Sequence, residues 1–380
     1  MPSRAIESSA ATIADDAAAR GRSSRFYPLK IARIYEEARN AIVVVFDIPP
    51  ELGEIFRFVQ GQYVTLRARI RGEDVERSYS ICSAVQDGFL RVGIKKATGG
   101  VFSNWAAENL KPGAIVQVMP PEGRFHTSLS PAAAKQYVAF AVGSGITPVL
   151  SIVKTTLLTE PRSRFTLFYG NRESNTVMFR EELAELKDMF LDRFGLIYVM
   201  TREHQDIDLL NGRITGERAQ SLLKHFCPPE TIDYVFLCGP RAMVDDVVPK
   251  LNQLGIPDSR IKVELFTPAE PARGADRSAE STGLADECRV TIMADGTEYR
   301  FSMDKQEETI LDAGLRRGID LPHSCKSGIC ATCRAKLIAG EVHMDAHYAL
   351  EQDEIDRGFI LTCQSHPLTD EVEIDFDQSD

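Results

Sequence analysis

The sequence predicts a multidomain chain: an antiparallel β-barrel, an α/β doubly wound parallel sheet, and a small acidic α+β module built around a cysteine loop. Three observations predict it. Between residues 26 and 126, short β-branched or alternating runs are punctuated by Gly, Pro and Asp, as in antiparallel strands joined by tight turns. From about residue 135 the runs become continuously apolar and alternate with helical stretches, the mark of strands buried on both faces of a parallel sheet. After residue 287, four of the eight cysteines fall into one spaced pattern, which in a chain this large points to a metal more than to disulfides.

The elements follow in order. Residues 1–25 are rich in Ala and Ser, contain Glu7, Asp15 and Asp16, and lack an apolar block. They match neither a secretory signal nor an acid-poor transit peptide, and are expected to form a mobile leader on a cytoplasmic protein. Runs at 41–46, 63–66, 78–81 and 90–94 are the barrel strands of a first domain, 26–130. Runs at 137–142, 165–169, 195–199 and 234–237, separated by helical patterns such as 148–158 and 179–189, make a second domain, 131–266. Residues 267–287 are small, proline-bearing and charged, with little to bury. They are expected to be a linker, spanning roughly 25 Å root-mean-square if flexible. The last domain, 288–380, opens with runs at 288–293 and 298–302 around Asp295-Gly296, a hairpin signal. A short helix is expected at 309–317.

Formal net charge is −11, the wrong sign for nucleic-acid binding. From Cys288 onward there are nine Lys and Arg against 19 Asp and Glu, whereas the rest of the chain holds 35 against 36. An acidic module is therefore attached to a nearly neutral body. Such a face suits a basic partner, and equally suits a merely solvated surface. The most apolar stretch, 137–153, is broken by Gly143, Ser144, Gly145 and Pro148. It falls short of the ~18 uninterrupted apolar residues of a span, so no membrane insertion is expected.

The strongest chemical pattern is Cys325-x4-Cys330-x2-Cys333, closed by Cys363, the plant-type spacing for a [2Fe–2S] cluster. Two adjacent irons need four thiolates; a tight loop supplies three and a distant segment the fourth. Gly328 lets the loop backbone approach the sulfides, and Ala331 and Thr332 are small. The oxidised cluster is a dianion, which Lys326 and Arg334 partly offset. A structural zinc would show two short Cys pairs, and a Rieske centre would need two histidines that His323 and His366 do not supply as a pattern. Cys82, Cys227 and Cys288 read as buried apolar residues.

Further motifs precede the cysteines. They are Arg77-Ser78-Tyr79-Ser80, Gly99-Gly100-Val101-Phe102-Ser103, Gly143-Ser144-Gly145-Ile146-Thr147-Pro148, Cys238-Gly239-Pro240 and Glu264-Leu265-Phe266. The glycine turn at 143–148 follows a buried strand and opens a helix. It is not Gly-x-Gly-x-x-Gly, yet it keeps the same logic of close backbone approach and a helix N-terminus that attracts pyrophosphate. With these motifs, the chain from about Phe26 to Asp380 resembles the ferredoxin-NADP reductase superfamily. The subgroup is that of oxygenase reductases with a C-terminal plant-type ferredoxin domain, of the kind serving phenylacetyl-CoA epoxidase and 3-ketosteroid 9α-hydroxylase.

The resemblance implies a flavin barrel, a nicotinamide domain and a β-grasp ferredoxin domain. It implies that Tyr79 stacks on a flavin, Ser80 bonds near N5 and Arg77 binds phosphate, with Ser78 between them. Gly99, Gly100, Val101 and Ser103 would form the second phosphate segment, with Val92, Ile94 and Lys95 lining the same site. FAD is expected, with FMN the rival; the Gly-Gly-Val-x-Ser segment suits a pyrophosphate. Gly143, Gly145, Thr147 and Pro148 would hold the nucleotide pyrophosphate. Cys238, Gly239, Pro240 and Met243 would lie at the nicotinamide, and Glu264 and Phe266 beside the flavin. Ser80, Cys238 and Glu264 are the candidate catalytic residues. Arg172 and Arg202 follow the second and third buried strands, where a 2′-phosphate is bound; they favour NADPH over NADH.

A hydride carries two electrons and a [2Fe–2S] cluster accepts one, so a flavin must stand between them. The expected function is a monomeric reductase passing electrons from NAD(P)H through FAD and the cluster to a terminal oxygenase component. A phenylacetyl-CoA epoxidase-like monooxygenase is the favoured acceptor. The alternatives are a Rieske-type hydroxylase as acceptor, a stand-alone diaphorase or flavin reductase, and a redox sensor; the full set of motifs argues against the sensor.

Overall fold

The computed structural model describes residues 26–266, 287–323 and 325–378. The expected leader and all but the last residue of the expected linker lie outside the described residues. Glu287, assigned to the linker from sequence, instead begins a strand, because its backbone pairs with Asp304 across a hairpin.

Six antiparallel strands form the first sheet: β1 (Tyr27–Ala38), β2 (Ala41–Asp47), β3 (Tyr63–Ile70), β4 (Glu73–Ser80), β5 (Leu90–Lys95) and β6 (Ile115–Val118), ordered β4-β3-β6-β1-β2-β5. An antiparallel bridge between Ile81 and Val92 joins the two edges, which closes the sheet into a barrel and removes its open edges. Strand β2 reads as one apolar run because both of its faces are covered. Ile42, Val44 and Phe46 point into the barrel core. Ala41, Val43 and Val45 pack instead with the core of the second sheet.

That second sheet is parallel: β7 (Gln136–Val142), β8 (Arg164–Asn171), β9 (Phe194–Met200), β10 (Tyr234–Gly239) and β11 (Ile261–Leu265), ordered β11-β10-β7-β8-β9. The chain runs outward from β7 to β9, then crosses back to β10. The switch point thus lies between the carboxyl ends of β7 and β10, where open α/β sheets bind their ligands. The helix after β7 runs Ile146–Thr159, and the expected helix at 179–189 starts one residue later, at Arg180. Phe179 itself is left-handed, with φ 59°, and its N–H donates to Glu37 Oε1 of the barrel at 2.8 Å. Arg91 of β5 pairs with Glu182 of that helix at 2.6 Å, and Lys154 bridges Glu182 to Asp87.

The third unit is a mixed sheet of β12 (Glu287–Ala294), β13 (Thr297–Asp304), β14 (Arg334–Ala339), β16 (Phe359–Leu361) and β18 (Glu371–Asp375), ordered β13-β12-β18-β14-β16. The short strands β15 (Val342–Met344) and β17 (Ser365–Pro367) pair beside it. Strand β12 alternates, burying Cys288, Val290, Ile292 and Ala294. Asp295 and Gly296 both have positive φ, 51° and 68°, as a two-residue primed hairpin turn requires. A helix at Ile310–Arg316 packs on this sheet, capped by Thr309, whose hydroxyl accepts the Asp312 N–H. No helix among the described residues is long and apolar enough to cross a membrane.

Candidate functional site

The barrel rim meets the switch point of the parallel sheet. Ser80 Oγ, at the end of β4, donates to Glu264 Oε1 of β11 at 2.7 Å. Glu264 is in register with Cys238 of β10. The three residues singled out for chemistry therefore form one line, although Ser80 and Glu264 are 184 positions apart. Desolvation pushes the Glu264 carboxyl up to about 7, against the pull of the Ser80 hydrogen bond. Burial, with Glu264 adding to it, holds the Cys238 thiol well above its ordinary range. A thiol kept protonated shapes a wall rather than attacking as a nucleophile.

On the flavin side, the Tyr79 ring tilts against Phe102 with centroids 5.7 Å apart. Ser78 shares a hydrogen bond with Thr65 across the β3–β4 pair at 3.0 Å. Arg77 is exposed and donates to the Glu76 carbonyl at 2.6 Å. Gly99 is left-handed, and Gly100 starts the helix Val101–Asn109 with no side chain capping its first amides. Such amides are ready donors for an anion. A Cβ at Gly100 would fall 2.5 Å from Ser103 Oγ, which accepts the Ala97 N–H at 3.2 Å. The uncapped amides, the guanidinium and the aromatic face fit a flavin with its phosphates. Val92 and Ile94 are buried in the barrel core. The strand reaches the cleft through Gly93 and Lys95, and only the second was foreseen.

On the nicotinamide side, a Cβ at Gly145 would lie 2.3 Å from the Cys238 carbonyl oxygen. The two motifs abut because that residue has no side chain. Thr147 Oγ1 donates to the Ser144 carbonyl at 3.0 Å and holds the turn, while Pro148 is buried in the helix that follows. A Cβ at Gly93 would meet Thr147, Met178 and Phe179, so the barrel also closes on this turn through a glycine. Gly239 packs on Met243, and Pro240 caps the helix Arg241–Gln253. Phe266, half-buried, donates its N–H to the Gly239 carbonyl at 3.3 Å. Arg172 and Arg202 are exposed, and the Arg202 N–H donates to the Arg172 carbonyl at 3.0 Å. Lys95 is close enough to Arg172 that burial first, then that cation, lowers its pKa. Asn171 is buried, with both amide atoms lacking a hydrogen-bond partner. An unsatisfied amide among clustered cations fits a phosphorylated nucleotide.

The cysteine loop pairs its thiols. Cys325 lies against Cys330, and Cys333 against Cys363. The two pairs also face each other, Cys333 toward Cys330 and Cys363 toward Cys325, so four thiols converge as two adjacent irons need. The Ser327 N–H donates to Cys325 Sγ and the Cys325 N–H to Cys330 Sγ, both at 3.4 Å. The Ser327 hydroxyl is buried without a partner. Lys326, Gly328 and Ala331 all have positive φ, and a Cβ at Gly328 would lie 2.8 Å from the Ala346 carbonyl oxygen. A strained loop that turns amides and an orphan hydroxyl toward its own sulfurs fits a [2Fe–2S] cluster.

This loop sits on the other two units. Tyr63 of β3 donates to the Cys330 carbonyl. Ile329 packs against the apolar cluster of the parallel sheet. Glu354 is buried between Arg124 of the barrel and Arg334. Lys262 of β11 pairs with Glu351 at 3.1 Å, and Arg241 lies 4.3 Å over the Tyr348 ring. Tyr63 and Lys262 carried no motif that could have marked them as interface residues.

Fold and site define an NAD(P)H oxidoreductase that moves electrons through FAD and a [2Fe–2S] cluster. Residues 28–127 match the family model of an oxidoreductase FAD-binding domain, 140–248 that of an oxidoreductase NAD-binding domain, and 292–368 that of a 2Fe-2S iron-sulfur cluster binding domain. The chain is 44% identical over 354 residues to a subunit of the 1,2-phenylacetyl-CoA epoxidase of Escherichia coli (strain K12), covering 93% of this chain and 98% of that protein. It is 32% identical over 359 residues to the ferredoxin reductase component of 3-ketosteroid-9-alpha-monooxygenase of Rhodococcus rhodochrous, covering 93% and 97%. The crystal structure of phthalate dioxygenase reductase shares its fold, with TM-score 0.56 at 24% identity over 92% of this chain and 98% of that one. The chain belongs to the family of reductase components of multicomponent oxygenases.

Proposed function

We propose that this reductase takes electrons from NADPH and hands them singly to the terminal oxygenase of a phenylacetyl-CoA epoxidase-like monooxygenase. The 44% identity to the epoxidase relative, against 32% for the ketosteroid relative, supports this acceptor. The observation that carries the electron path is the meeting of Ser80, Glu264 and Cys238 at one rim, with the cysteine loop seated on the same barrel.

When bound, FAD accepts the hydride as an electron pair and releases the electrons one at a time to the cluster. The remaining roles belong to the chain. Ser80, oriented by Glu264, presents its hydroxyl at the flavin edge, and Tyr79 supplies a flat apolar face. Arg77 and the amides from Gly99 to Ser103 take the flavin phosphates, with Ser78 bracing the strand, Val92 and Ile94 packing the barrel core behind it, and Lys95 reaching the cleft. The turn from Gly143 to Pro148 takes the nucleotide pyrophosphate. Cys238, Gly239 and Pro240 wall the nicotinamide, with Met243 behind them and Phe266 beside. Holding the ring in place matters more here than a covalent intermediate. Arg172 and Arg202 take the 2′-phosphate. Cys325, Cys330, Cys333 and Cys363 would hold the cluster through their thiolates. The domains divide near residues 130 and 266, with 267–286 as the linker. The protein works as a cytoplasmic monomer.

Anaerobic titration with NADPH and with NADH tests this. Flavin absorbance should bleach and the EPR signal of a reduced [2Fe–2S] cluster should rise, at lower concentration for NADPH. Bleaching with no cluster signal overturns the electron path. Equal use of NADH, unchanged in Arg172→Ala and Arg202→Ala, overturns the choice of nucleotide. Reduction of a 3-ketosteroid oxygenase in preference to a phenylacetyl-CoA epoxidase overturns the partner.

A further inference from the structure

Tyr63 lies outside every cofactor motif, yet it is the barrel's point of contact with a cluster ligand. It stands on β3 in register with Ser80 of β4. Its N–H and carbonyl are both bonded to the Glu122 backbone, at 2.8 and 2.9 Å. The residue is 7% exposed. Its ring lies against Gly123, where φ is 111° and a Cβ would come within 3.0 Å of it. The hydroxyl reaches out of the barrel. It donates to the carbonyl of Cys330 and lies 3.1 Å from Thr332 Oγ1. Thr332 Oγ1 also reaches Glu122 Oε2 at 3.4 Å. A phenol has one proton to give; given to Cys330, it leaves the threonine hydroxyl to donate toward the barrel. Tyr63 and Glu122 thus form a rigid receptor on the barrel, and the cysteine loop supplies a carbonyl and a hydroxyl that match it.

We propose that Tyr63, braced by Glu122, is the positioning residue that seats the cluster loop on the flavin barrel and so sets the rate of electron passage from flavin to cluster. The proposal rests on the electron path given above. Each passage takes one electron from the reduced flavin and turns one ferric ion ferrous, and NAD(P)H supplies the pair. Passage through protein weakens steeply with distance, so a loosely seated loop spends less time within reach. Ser80 marks the flavin edge and its strand partner touches a cluster ligand, so the link is one strand pairing and one hydrogen bond long.

The test is Tyr63→Phe in the full-length holoprotein, which removes one oxygen and keeps the ring. In anaerobic stopped flow with NADPH, flavin bleaching should keep its rate. The cluster-reduction phase that follows should slow by about fivefold, the weight of one hydrogen bond. Hydrogen–deuterium exchange across 326–333 in the oxidised protein should rise. The EPR spectrum of the dithionite-reduced cluster should stay the same. Glu122→Gln, which keeps an acceptor, should slow the cluster phase less than Tyr63→Phe. An unchanged cluster phase with unchanged exchange overturns the proposal. So does loss of the EPR signal in Tyr63→Phe, which would make the residue part of cluster assembly. A wild-type protein whose cluster never reduces with NADPH overturns the underlying electron path instead, so the two failures are distinguishable.

Discussion

Glu264 joins Ser80 of the barrel rim to Cys238 of the parallel sheet through one hydrogen bond and one strand pairing. Its carboxyl is raised from 4.5 to about 7, chiefly by desolvation. The folded state therefore holds this proton more tightly than the unfolded chain does. Its stabilising effect is full below pH 4.5 and is lost as pH rises through about 7, the reverse of a salt-bridged carboxylate. Glu264→Gln should flatten the fall of the thermal midpoint across that window, and a slope equal to wild type would contradict the assignment. Cys238 should resist iodoacetamide in the folded protein at pH 8 and react on unfolding, as peptide mass spectrometry can show, because its thiol stays protonated. Gly145→Ala puts a methyl against the Cys238 carbonyl. It should cost about 1–3 kcal/mol in urea unfolding and weaken NADPH binding. The motif residues were legible because each chemistry demands particular residue types. Tyr63, Gly93 and Asn171 were not, since an aromatic or a glycine in a strand and an asparagine at a strand's end have many ordinary uses.

Among the elements, continuous apolar runs proved the most informative. Strand β7 buries every residue from Tyr137 to Ala141, and the pattern predicted it. Strand β1 escaped notice because Lys30, Arg33, Glu36 and Glu37 interrupt its apolar residues, and past Ile31 it is only half-buried. Phe179 was assigned to a helix on its apolar spacing, but its tertiary bond to Glu37 holds it in a left-handed turn before the helix. Between β5 and the helix Arg180–Met189, Arg91 is 7% exposed and bonds both Glu182 oxygens. Removing one partner of such a pair leaves a charge buried and unmatched. Glu182→Ala should therefore destabilise the barrel–sheet interface by about 3–5 kcal/mol in denaturant melts. A loss near that of an exposed ion pair would show that solvent reaches the site.

For the whole molecule, the acidic third unit docks through opposite charges. Arg124 meets Glu354, and Lys262 meets Glu351. Glu354 is buried and also holds Arg334, so it resists screening better than the exposed Glu351. Arg124→Glu should slow reduction of the cluster while leaving flavin reduction by NADPH unchanged, and rising ionic strength should slow the wild-type cluster phase more weakly than the variant does. Equal rates in wild type and variant would rule out the clasp. From sequence the same acidic face suits a basic partner or a merely solvated surface equally; in the docked arrangement it is partly spent on the protein's own arginines and lysine.

The order of the units and the spacing of the cysteine, flavin and nucleotide motifs were legible in the sequence itself, since periodicity and residue type follow local rules. Which residues face one another was decided only by the tertiary structure. Ser80 and Glu264, Gly145 and Cys238, and Tyr63 and Cys330 are each far apart in the chain. No local pattern encodes such meetings, because barrel closure, the parallel sheet's reversal and domain docking bring them about through packing that no single segment contains.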